Sequence, residues 1–572
     1  MSTRAASAAR PAAPSFAELF TPKLVTVFRE GYGLSNLRAD AIAGLTVAIV
    51  ALPLSMAIAI ASHASPAQGL YTAIIGGFLV SALGGSRFQI GGPAGAFIVL
   101  IAATVDTHGM DGLFLATVLA GVILMAMGFL RLGTYIKFIP YPVTVGFTAG
   151  IAAIIFASQI KDLLGLTLAE PEPAQLVAKL EILWRHLATI NFGAVVLAIV
   201  TIVTIAVLKR LRPNVPGMLI AVAGAAALVA AFDMPVATIG SQFGGIPEAL
   251  PVPSLPKFDL AKIQAVLPNA ISFALLGSIE SLLSAVVADG MTGRRHRSNC
   301  ELVGQGVANI ASGLFGGICV TGTIARTATN VRAGAHGPIA GILHAVFLLL
   351  FILIAAPLAS YIPRASLAGV LAIVSWNMIE KHAFVTLLRA SRADAAVLLV
   401  TFSLTIFRDL SEAIVVGFAL GSVLFIHRMS QTTAIETNVP MVPEDRADTE
   451  NGSRDAYHEE LAQNPAVVIY RISGAFFFGA AASIGSVLDR IADNHRLLVI
   501  DLSAVPFIDS TAANTIESLA HKAAGRNVRV ALTGTSAAVR KELFAHEIKP
   551  PLVHYETTIS AAVKKAHLAK AE

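Results

Sequence analysis

Two glycine-rich stretches occupy corresponding places in the two halves of the chain, and together they could hold an anion. They are residues 82–96 and 314–328. In each, a Gly-Gly pair, a few β-prone residues and a further Gly precede a helix start. A helix N-terminus offers free N–H groups and the positive end of the helix dipole, so two such ends facing each other suit one bound anion. Pro93 fits the first turn of such a helix, where its missing N–H costs nothing.

Two ionisable residues lie within predicted membrane segments. Arg326, four residues after Gly322, would add a full positive charge beside the second glycine-rich break, and a charge within a membrane span is usually functional. Glu280 lies inside the apolar run 263–287 with no cation one turn away. Burial without a cation favours the protonated carboxyl, so Glu280 could carry a proton; with Ser284 one turn on, it could instead help coordinate Na⁺. A structural pairing of Glu280 with Arg326 is a third reading.

The composition indicates a membrane protein. Of 572 residues, 55% are hydrophobic and 13% charged, whereas charged residues approach a quarter of a soluble protein. A net charge of +5, spread through loops, does not favour nucleic-acid binding. The two cysteines have no metal-ligand spacing, and no Walker motif, nucleophile triad or metal cluster is present. We therefore expect neither an enzyme nor a cofactor, apart from a coupling ion.

Apolar segments long enough to cross a bilayer, about 20 residues each, recur along the chain. Two further segments, 92–106 and 322–335, are interrupted and are the third element of their halves. Seven elements per half is odd, so the halves would have opposite orientation, and interrupted segments at matching places in an inverted repeat point to a transporter's central site. We assign repeat 1 to 38–232 and repeat 2 to 262–430. The twelve uninterrupted candidates are 39–61, 67–83, 111–130, 139–159, 192–209, 215–232, 263–288, 300–316, 337–357, 366–380, 392–408 and 410–427.

Loop charge and composition predict the arrangement of the ends. With a cytoplasmic N-terminus, the inner loops hold 14 Lys and Arg against 7 outside, so both termini are expected in the cytoplasm. Residues 1–37 form a cytoplasmic segment with an amphipathic piece at Phe16–Phe28, and they do not resemble a signal peptide. Residues 431–464 are interpreted as a polar linker. Alternating strands and helices, among them a helix over 480–492, predict a small α/β domain over 465–572.

Several motifs together resemble the SulP (sulfate permease) family of anion transporters. The resemblance covers 38–430 and implies an α-helical membrane protein of 14 transmembrane segments in a 7+7 inverted repeat. A core (segments 1–4 and 8–11) would move against a gate (5–7 and 12–14) in an elevator-like cycle, in a homodimer in the inner membrane. The motifs lie at 40–47, 51–57, 90–93, 281–289, 302–313 and 325–330.

The same resemblance implies which residues bind the substrate. Glu280 occupies the eighth-segment acid position that family members use for proton or Na⁺ coupling, with Ser284 beside it. Leu54 replaces the glutamine of many animal members, so one polar substrate contact is missing. The implied substrate-binding positions are Leu54, Ser55, Ile58, Ala94, Gly95, Ala96, Ala325, Arg326 and Thr327.

The stretches 277–283, 289–293 and 323–334 most resemble the bacterial branch with a proton-coupled C4-dicarboxylate transporter. We therefore expect secondary active, proton-coupled uptake of succinate or fumarate. Sulfate or bicarbonate transport, coupled to protons or Na⁺, is the alternative. An uncoupled exchanger or channel and a membrane-tethered sensor are further readings.

Near the C-terminus, residues 499–503 and 507–512 resemble the STAS domain, which is shared with anti-sigma-factor antagonists. In those relatives a Ser or Thr after the Asp is phosphorylated. The resemblance implies that Ser510 and Thr511 form a regulatory phosphosite, or else only begin a helix that Asp509 caps. It also implies that this domain binds cytoplasmic partners or supports the dimer.

Overall fold

The computed structural model describes residues 15–136, 140–170, 172–173, 175–212, 215–256, 259–408, 410–431, 434–437, 466–477 and 496–568. The chain forms two compact units, Met1–Phe418 and Ala419–Glu572.

Helices make up almost all of the first unit. A π-helical turn, Thr72–Gly76, joins α4 to α5, and a 3₁₀ turn, Gly95–Phe97, leads into α6. The helices are α1 (Phe16–Phe20), α2 (Lys23–Arg29), α3 (Leu34–Ala61), α4 (Pro66–Tyr71), α5 (Gly77–Leu83), α6 (Ile98–Phe129), α7 (Gly133–Ile136), α8 (Tyr141–Leu164), α9 (Leu176–Arg185), α10 (Phe192–Leu211), α11 (Gly217–Phe232), α12 (Ile239–Phe243), α13 (Leu260–Thr292), α14 (Ser298–Leu314), α15 (Ile324–Arg332), α16 (Ile339–Ala359), α17 (Arg364–Met378), α18 (Lys381–Ala390), α19 (Arg392–Phe407) and α20 (Leu410–Gln431).

The helices follow the predicted order of two sets of seven segments. Each apolar stretch predicted from the sequence coincides with a helix. The third and fourth segments both lie in α6, and a break in the helical backbone at Gly109 (φ 69°, ψ −178°) separates them. The segments from α3 to α11 form the first set, and those from α13 to α20 the second. The α-helical membrane architecture is therefore confirmed.

Eight helical stretches of the described chain are long and apolar enough to cross a membrane by length and composition, fewer than the twelve we predicted. Four predicted spans fall short for a physical reason. All four helices are short: α11 has 16 residues, α14 has 17, α17 has 15 and α19 has 16, and α14 also carries buried polar residues. The eight are Leu34–Ala61, Pro66–Leu83, Gly95–Phe129, Tyr141–Leu164, Phe192–Leu211, Leu260–Thr292, Ile339–Ala359 and Glu412–Ser430.

Packing separates these helices into two groups. In one, α3 packs on α16, and α6 packs on both α13 and α14. In the other, α8 packs on α17 and α19, and α10 packs on α11 and α17. The groups meet where α3 contacts α11 and α17. We call them the core group and the gate group, after the subdomains that the sequence implied.

The two interrupted segments meet inside the core group, as the sequence predicted. Strand β1 (Gly91–Gly92) pairs antiparallel with β2 (Thr321–Gly322), with Gly91 opposite Gly322. Glycine is required at 322 because a Cβ there would collide with the Gln89 side chain. Directly after these strands the chain turns into helix, at Gly95 and at Ile324. We call residues 95–108 and α15 the two half-helices.

The N-terminal segment differs from its prediction. Instead of one amphipathic piece over Phe16–Phe28, α1 ends at Phe20 and α2 follows Pro22, because proline cannot continue the first helix. Arg297 Nη1 donates to the Thr21 carbonyl and to Thr26 Oγ1, at 2.8 Å each, and Arg87 pairs with Glu30. This pairing lowers the pKa of Glu30. The segment is therefore fastened to the ends of the core helices.

The described part of the second unit contains a five-stranded sheet in the order β3-β4-β5-β6-β7, parallel apart from the β3–β4 pair. The predicted α/β class is confirmed. Strand β3 was wrongly assigned to the 431–464 linker, because four residues at a sheet edge give only a weak sequence signal, and β7 was missed. The helix expected over 480–492 lies outside the described residues. The elements are β3 (Ala434–Thr437), β4 (Val467–Ser473), β5 (Leu497–Ala504), α21 (Ser510–Gly525), β6 (Arg529–Thr533), α22 (Ala537–Ala545), β7 (His554–Glu556) and α23 (Ile559–Leu568).

Candidate anion site

Arg326 lies at the start of the second half-helix and is fully buried, with 1% of its surface exposed. Its Nη2 donates to Ser55 Oγ at 3.1 Å and to the Pro93 carbonyl at 3.2 Å. Its Nε and Nη1 make no hydrogen bond to any residue that the structure describes. Burying an unpaired charged donor costs free energy, and an anion accepting from these two nitrogens would remove that cost. The guanidinium is thus arranged to bind an anion between the two half-helix starts.

The other predicted substrate-binding positions differ in their burial and in what they contact. Ser55 contacts Arg326 directly. Leu54, Ile58, Ala94 and Ala96 are buried, whereas Ala325 is exposed. A Cβ added at Gly95 would lie 3.3 Å from Ile155 Cδ1 and 3.6 Å from Met378 Sδ, so Gly95 faces the gate helices α8 and α17.

The close approach of Gly92 to Arg326 leads to a prediction. A Cβ at Gly92 would collide with Arg326 Nη1. We expect Gly92→Ala to displace the guanidinium and to weaken anion binding by about tenfold or more, because a misplacement of about 1 Å can cost two orders of magnitude at a positioned site. The measurement is the Kd for sulfate of the purified protein. Gly224→Ala, where a Cβ would meet nothing within 4 Å, is the matched control and should keep the wild-type Kd.

Glu280, on α13, is buried and makes no hydrogen bond or ion pair with any described residue. The reading of Glu280 as a structural partner for Arg326 is therefore not supported. Ser284, one turn further on, donates to Thr327 Oγ1 at 3.0 Å, and that oxygen also accepts from the Ile90 N–H at 3.1 Å. Ser284 and Thr327 thus tie the helix that carries Glu280 to both interrupted segments.

A second buried acid was missed from the sequence. Glu301, in the first turn of α14, is completely buried; its Oε2 accepts from the Ser86 N–H at 2.9 Å, and Ser281 Oγ lies 3.5 Å from its Oε1. Ser281 Oγ in turn accepts from Gln89 Nε2 at 2.6 Å. We call Glu301, Ser281 and Gln89 the Glu301 bridge. The sequence signal was a lone acid at the start of a predicted span, which looks like an ordinary polar helix start.

The bridge fastens the loop before the first half-helix to α13 and α14. We expect Glu301→Ala to destabilise the protein by about 1–3 kcal/mol, because it leaves the buried Ser86 N–H without an acceptor. Thermal unfolding in detergent measures the effect. Glu301→Gln retains an acceptor oxygen and should be clearly more stable than Glu301→Ala; equal melting temperatures for the two variants would contradict the assignment.

A cavity of about 330 Å³ lies between the core and gate groups. Thr46 of α3 and Thr329 of α15 line it from the core, and Ile205 and Lys209 of α10 line it from the gate. Lys209 is the only charged residue in its lining among the described residues. Thr329 stands one turn after Arg326, so the cavity reaches the helix that carries the anion-binding charge.

In the second unit, the structure supports the helix cap at the predicted phosphosite. Asp509 Oδ1 accepts from the Ala512 N–H at 2.9 Å. Ser510 and Thr511 are exposed, and Ser510 Oγ donates to Glu542 Oε1 at 3.4 Å. The Ser510 hydroxyl thus faces the Glu542 carboxylate, which would repel a phosphate placed on it.

Comparison with known families identifies the family to which the chain belongs. The sequence pattern of the sulfate permease family matches residues 37–401, and that of the STAS domain matches 459–566. The chain belongs to the sulfate permease family. It is an integral membrane anion transporter with a STAS domain.

Relatives of known name extend over most of the chain. Similarity reaches 40% identity with YvdB of Bacillus subtilis, named as a candidate sulfate transporter, over 90% of this chain and 94% of that protein. Identity is 32% with the bicarbonate transporter BicA of Synechocystis, over 89% of this chain and 90% of that protein. It is 28% with the sodium-independent sulfate anion transporter of Bos taurus, over 92% and 88%.

Solved structures confirm the fold. SLC26A9 matches with a TM-score of 0.83 at 17% identity, covering 97% of this chain and 93% of that chain. The transmembrane domain of cyanobacterial BicA matches with a TM-score of 0.61 at 32% identity, covering 67% of this chain and 98% of that chain. The expected likeness to a C4-dicarboxylate branch is not supported, because these relatives are named for sulfate and bicarbonate. The stretches that suggested this branch lie in and around α13 and the second half-helix, where Glu280 and Arg326 are found.

Proposed function

We propose that this protein is a proton-coupled sulfate transporter that binds its substrate between the two half-helix starts. The observation that carries the proposal is the buried Arg326 guanidinium, which has two nitrogens without a partner among the described residues and lies against β1. Sulfate offers several oxygens to accept from them, and the two helix N-termini add favourable dipoles.

The choice of sulfate rests on the relatives, two of which are named for sulfate transport. Bicarbonate is the second candidate, favoured by the 32% identity to BicA both in the full chain and in its solved membrane domain. Either anion suits the site, because the positive charge of Arg326 attracts both. Nothing about the guanidinium excludes bicarbonate, which is smaller than sulfate and planar. The dicarboxylate expectation is set aside.

Within this proposal Glu280 carries the coupling proton. It is buried in α13 without a cation or a hydrogen-bond donor among the described residues, so a bound proton would neutralise it where water is excluded. Sodium is the second candidate ion, because Ser284 donates its hydrogen to Thr327 and keeps its oxygen lone pairs for a cation.

The proposal also includes the arrangement of the whole transporter. We place the protein in the inner membrane with both termini cytoplasmic, as a homodimer in which the core group moves against the gate group like an elevator. The STAS domain would then face the cytoplasm, where it could bind regulatory partners through the accessible surface at Ser510 and Thr511.

Uptake into proteoliposomes tests the substrate and the coupling ion together. Labelled sulfate, bicarbonate, succinate and fumarate are supplied separately, with an inward proton gradient, an inward Na⁺ gradient or neither. We expect proton-driven accumulation of sulfate and none of succinate or fumarate. Accumulation of bicarbonate alone would favour the second candidate, and equilibration without accumulation under both gradients would identify an uncoupled exchanger or channel.

A further inference from the structure

His344, in the second turn of α16, is completely buried, and neither of its ring nitrogens forms a hydrogen bond with a described residue. Buried polar side chains nearly always have a partner, since leaving one unpaired costs about 1–3 kcal/mol. A leucine would fill such a place in an apolar helix without this cost. The position therefore calls for an explanation other than packing.

The imidazole of His344 lies close to β1, the strand beside the anion site. A Cβ added at Gly77 would lie 3.9 Å from His344 Cε1 and 2.9 Å from the Gly91 carbonyl oxygen. The next residue of the same strand, Gly92, contacts Arg326 Nη1. The histidine ring and the guanidinium thus lie near one two-residue strand.

Few charges face His344 from the elements packed around it. Helix α16 packs on α3, on α5 and on the π-helical turn before α5. Neither α5 nor that turn contains an ionisable residue, and α3 contributes Arg38 and Asp40. Asp40 is engaged at the beginning of α16, where it accepts from the His336 and Gly337 N–H groups. Burial is the main influence that opposes a positive charge on the imidazole, and the charge of Arg326 adds to it.

We propose that His344 takes up a proton when an anion binds at Arg326, which makes it a second protonation site linked to substrate. Without the anion, the positive guanidinium opposes a second positive charge nearby. A bound anion compensates the guanidinium, so a hydronium ion from solvent can give its proton to a free imidazole nitrogen. One O–H bond breaks, one N–H bond forms, and a water molecule is left. Linkage makes the effect reciprocal: a protonated His344 holds the anion more tightly.

This inference rests on the proposed function only in placing the anion at Arg326. It adds a second proton, on His344, whose uptake depends on the charge of the bound anion. Glu280 would instead take up its proton with no charged side chain beside it in the described part of the chain. A monovalent anion only balances the charge of Arg326, whereas a divalent anion leaves a net negative charge beside it, so sulfate should favour the second proton most.

Titration calorimetry tests the linkage. The full chain in detergent is titrated with sodium sulfate near pH 7 in several buffers of different ionisation enthalpy, which gives the protons taken up per sulfate bound. We expect His344→Gln to bind sulfate but to lose a measurable part, up to one, of the protons that the wild type takes up. His382→Gln changes an exposed histidine on α18 and should match the wild type. Should His344→Gln fail to fold, His344→Asn is used in its place.

The outcomes separate this inference from the proposed function. If His344→Gln binds sulfate and takes up as many protons as the wild type does, only this inference is overturned. The same holds if the wild-type protein binds sulfate without taking up protons. A wild type that binds no sulfate would overturn both. Glu280→Gln, measured in parallel, should still show the protons that depend on His344.

Discussion

Arg326→Ala is expected to abolish measurable sulfate transport and to weaken sulfate binding on the order of 30-fold to 4,000-fold. Truncating a buried, hydrogen-bonded charge at a binding site costs about 2–5 kcal/mol. Here the lost donors are Nε and Nη1, which have no other partner among the described residues. The measurement is the Kd for sulfate by calorimetry, together with initial uptake rates in proteoliposomes.

The second half-helix offers a matched control. Arg332 lies in the last turn of α15 and is exposed, so Arg332→Ala removes the same charge from the same helix away from β1. Its Kd should stay within about twofold of the wild type. Arg326→Lys keeps a positive charge but loses the forked donors of the guanidinium. Its Kd for sulfate should therefore lie between those of Arg326→Ala and Arg332→Ala. Equal losses in Arg326→Ala and Arg332→Ala would indicate a general field effect and contradict a specific site.

Glu280→Gln should strongly reduce proton-driven accumulation of sulfate, leaving at most the part that the His344 proton supports, while sulfate-for-sulfate exchange continues. Glutamine keeps the shape of a protonated carboxyl but cannot release a proton, so the variant behaves as a transporter fixed in its protonated form. Under an inward proton gradient, the variant should accumulate far less sulfate than the wild type does under the same gradient. Exchange of labelled for unlabelled sulfate in the same vesicles shows that the protein remains active.

An exposed acid provides the comparison for this variant. Glu248 lies on the surface of the described chain, and Glu248→Gln should accumulate sulfate as the wild type does. Undiminished proton-driven accumulation in Glu280→Gln would remove Glu280 from the coupling mechanism. Loss of both accumulation and exchange would instead assign it a part in folding or substrate binding.

The central feature of the site was predictable from local sequence. Glycines interrupt two apolar stretches at matching places, and extended backbone within a membrane must be satisfied by protein, so the breaks had to meet. The pairing of Gly91 with Gly322 follows this reasoning. Arg326 was predictable because a charge in an apolar stretch is rare.

The remaining polar residues depend on tertiary packing. A single Glu301 or His344 hardly changes the hydropathy of its segment, and nothing local shows that the first meets the Ser86 N–H while the second meets no polar partner among the described residues. Ser284 was expected near a coupling ion, but Thr327 engages it from a segment about 40 residues away in the chain. Partners that distant become visible only in the fold.

Anomalous diffraction from crystals grown with selenate, a heavier analogue of sulfate, tests the central claim most directly. We predict one strong anomalous peak within hydrogen-bond distance of the Arg326 guanidinium, between the helix starts at Gly95 and Ile324. An ordered selenate elsewhere in the membrane domain, with no peak at Arg326, would contradict the proposed site.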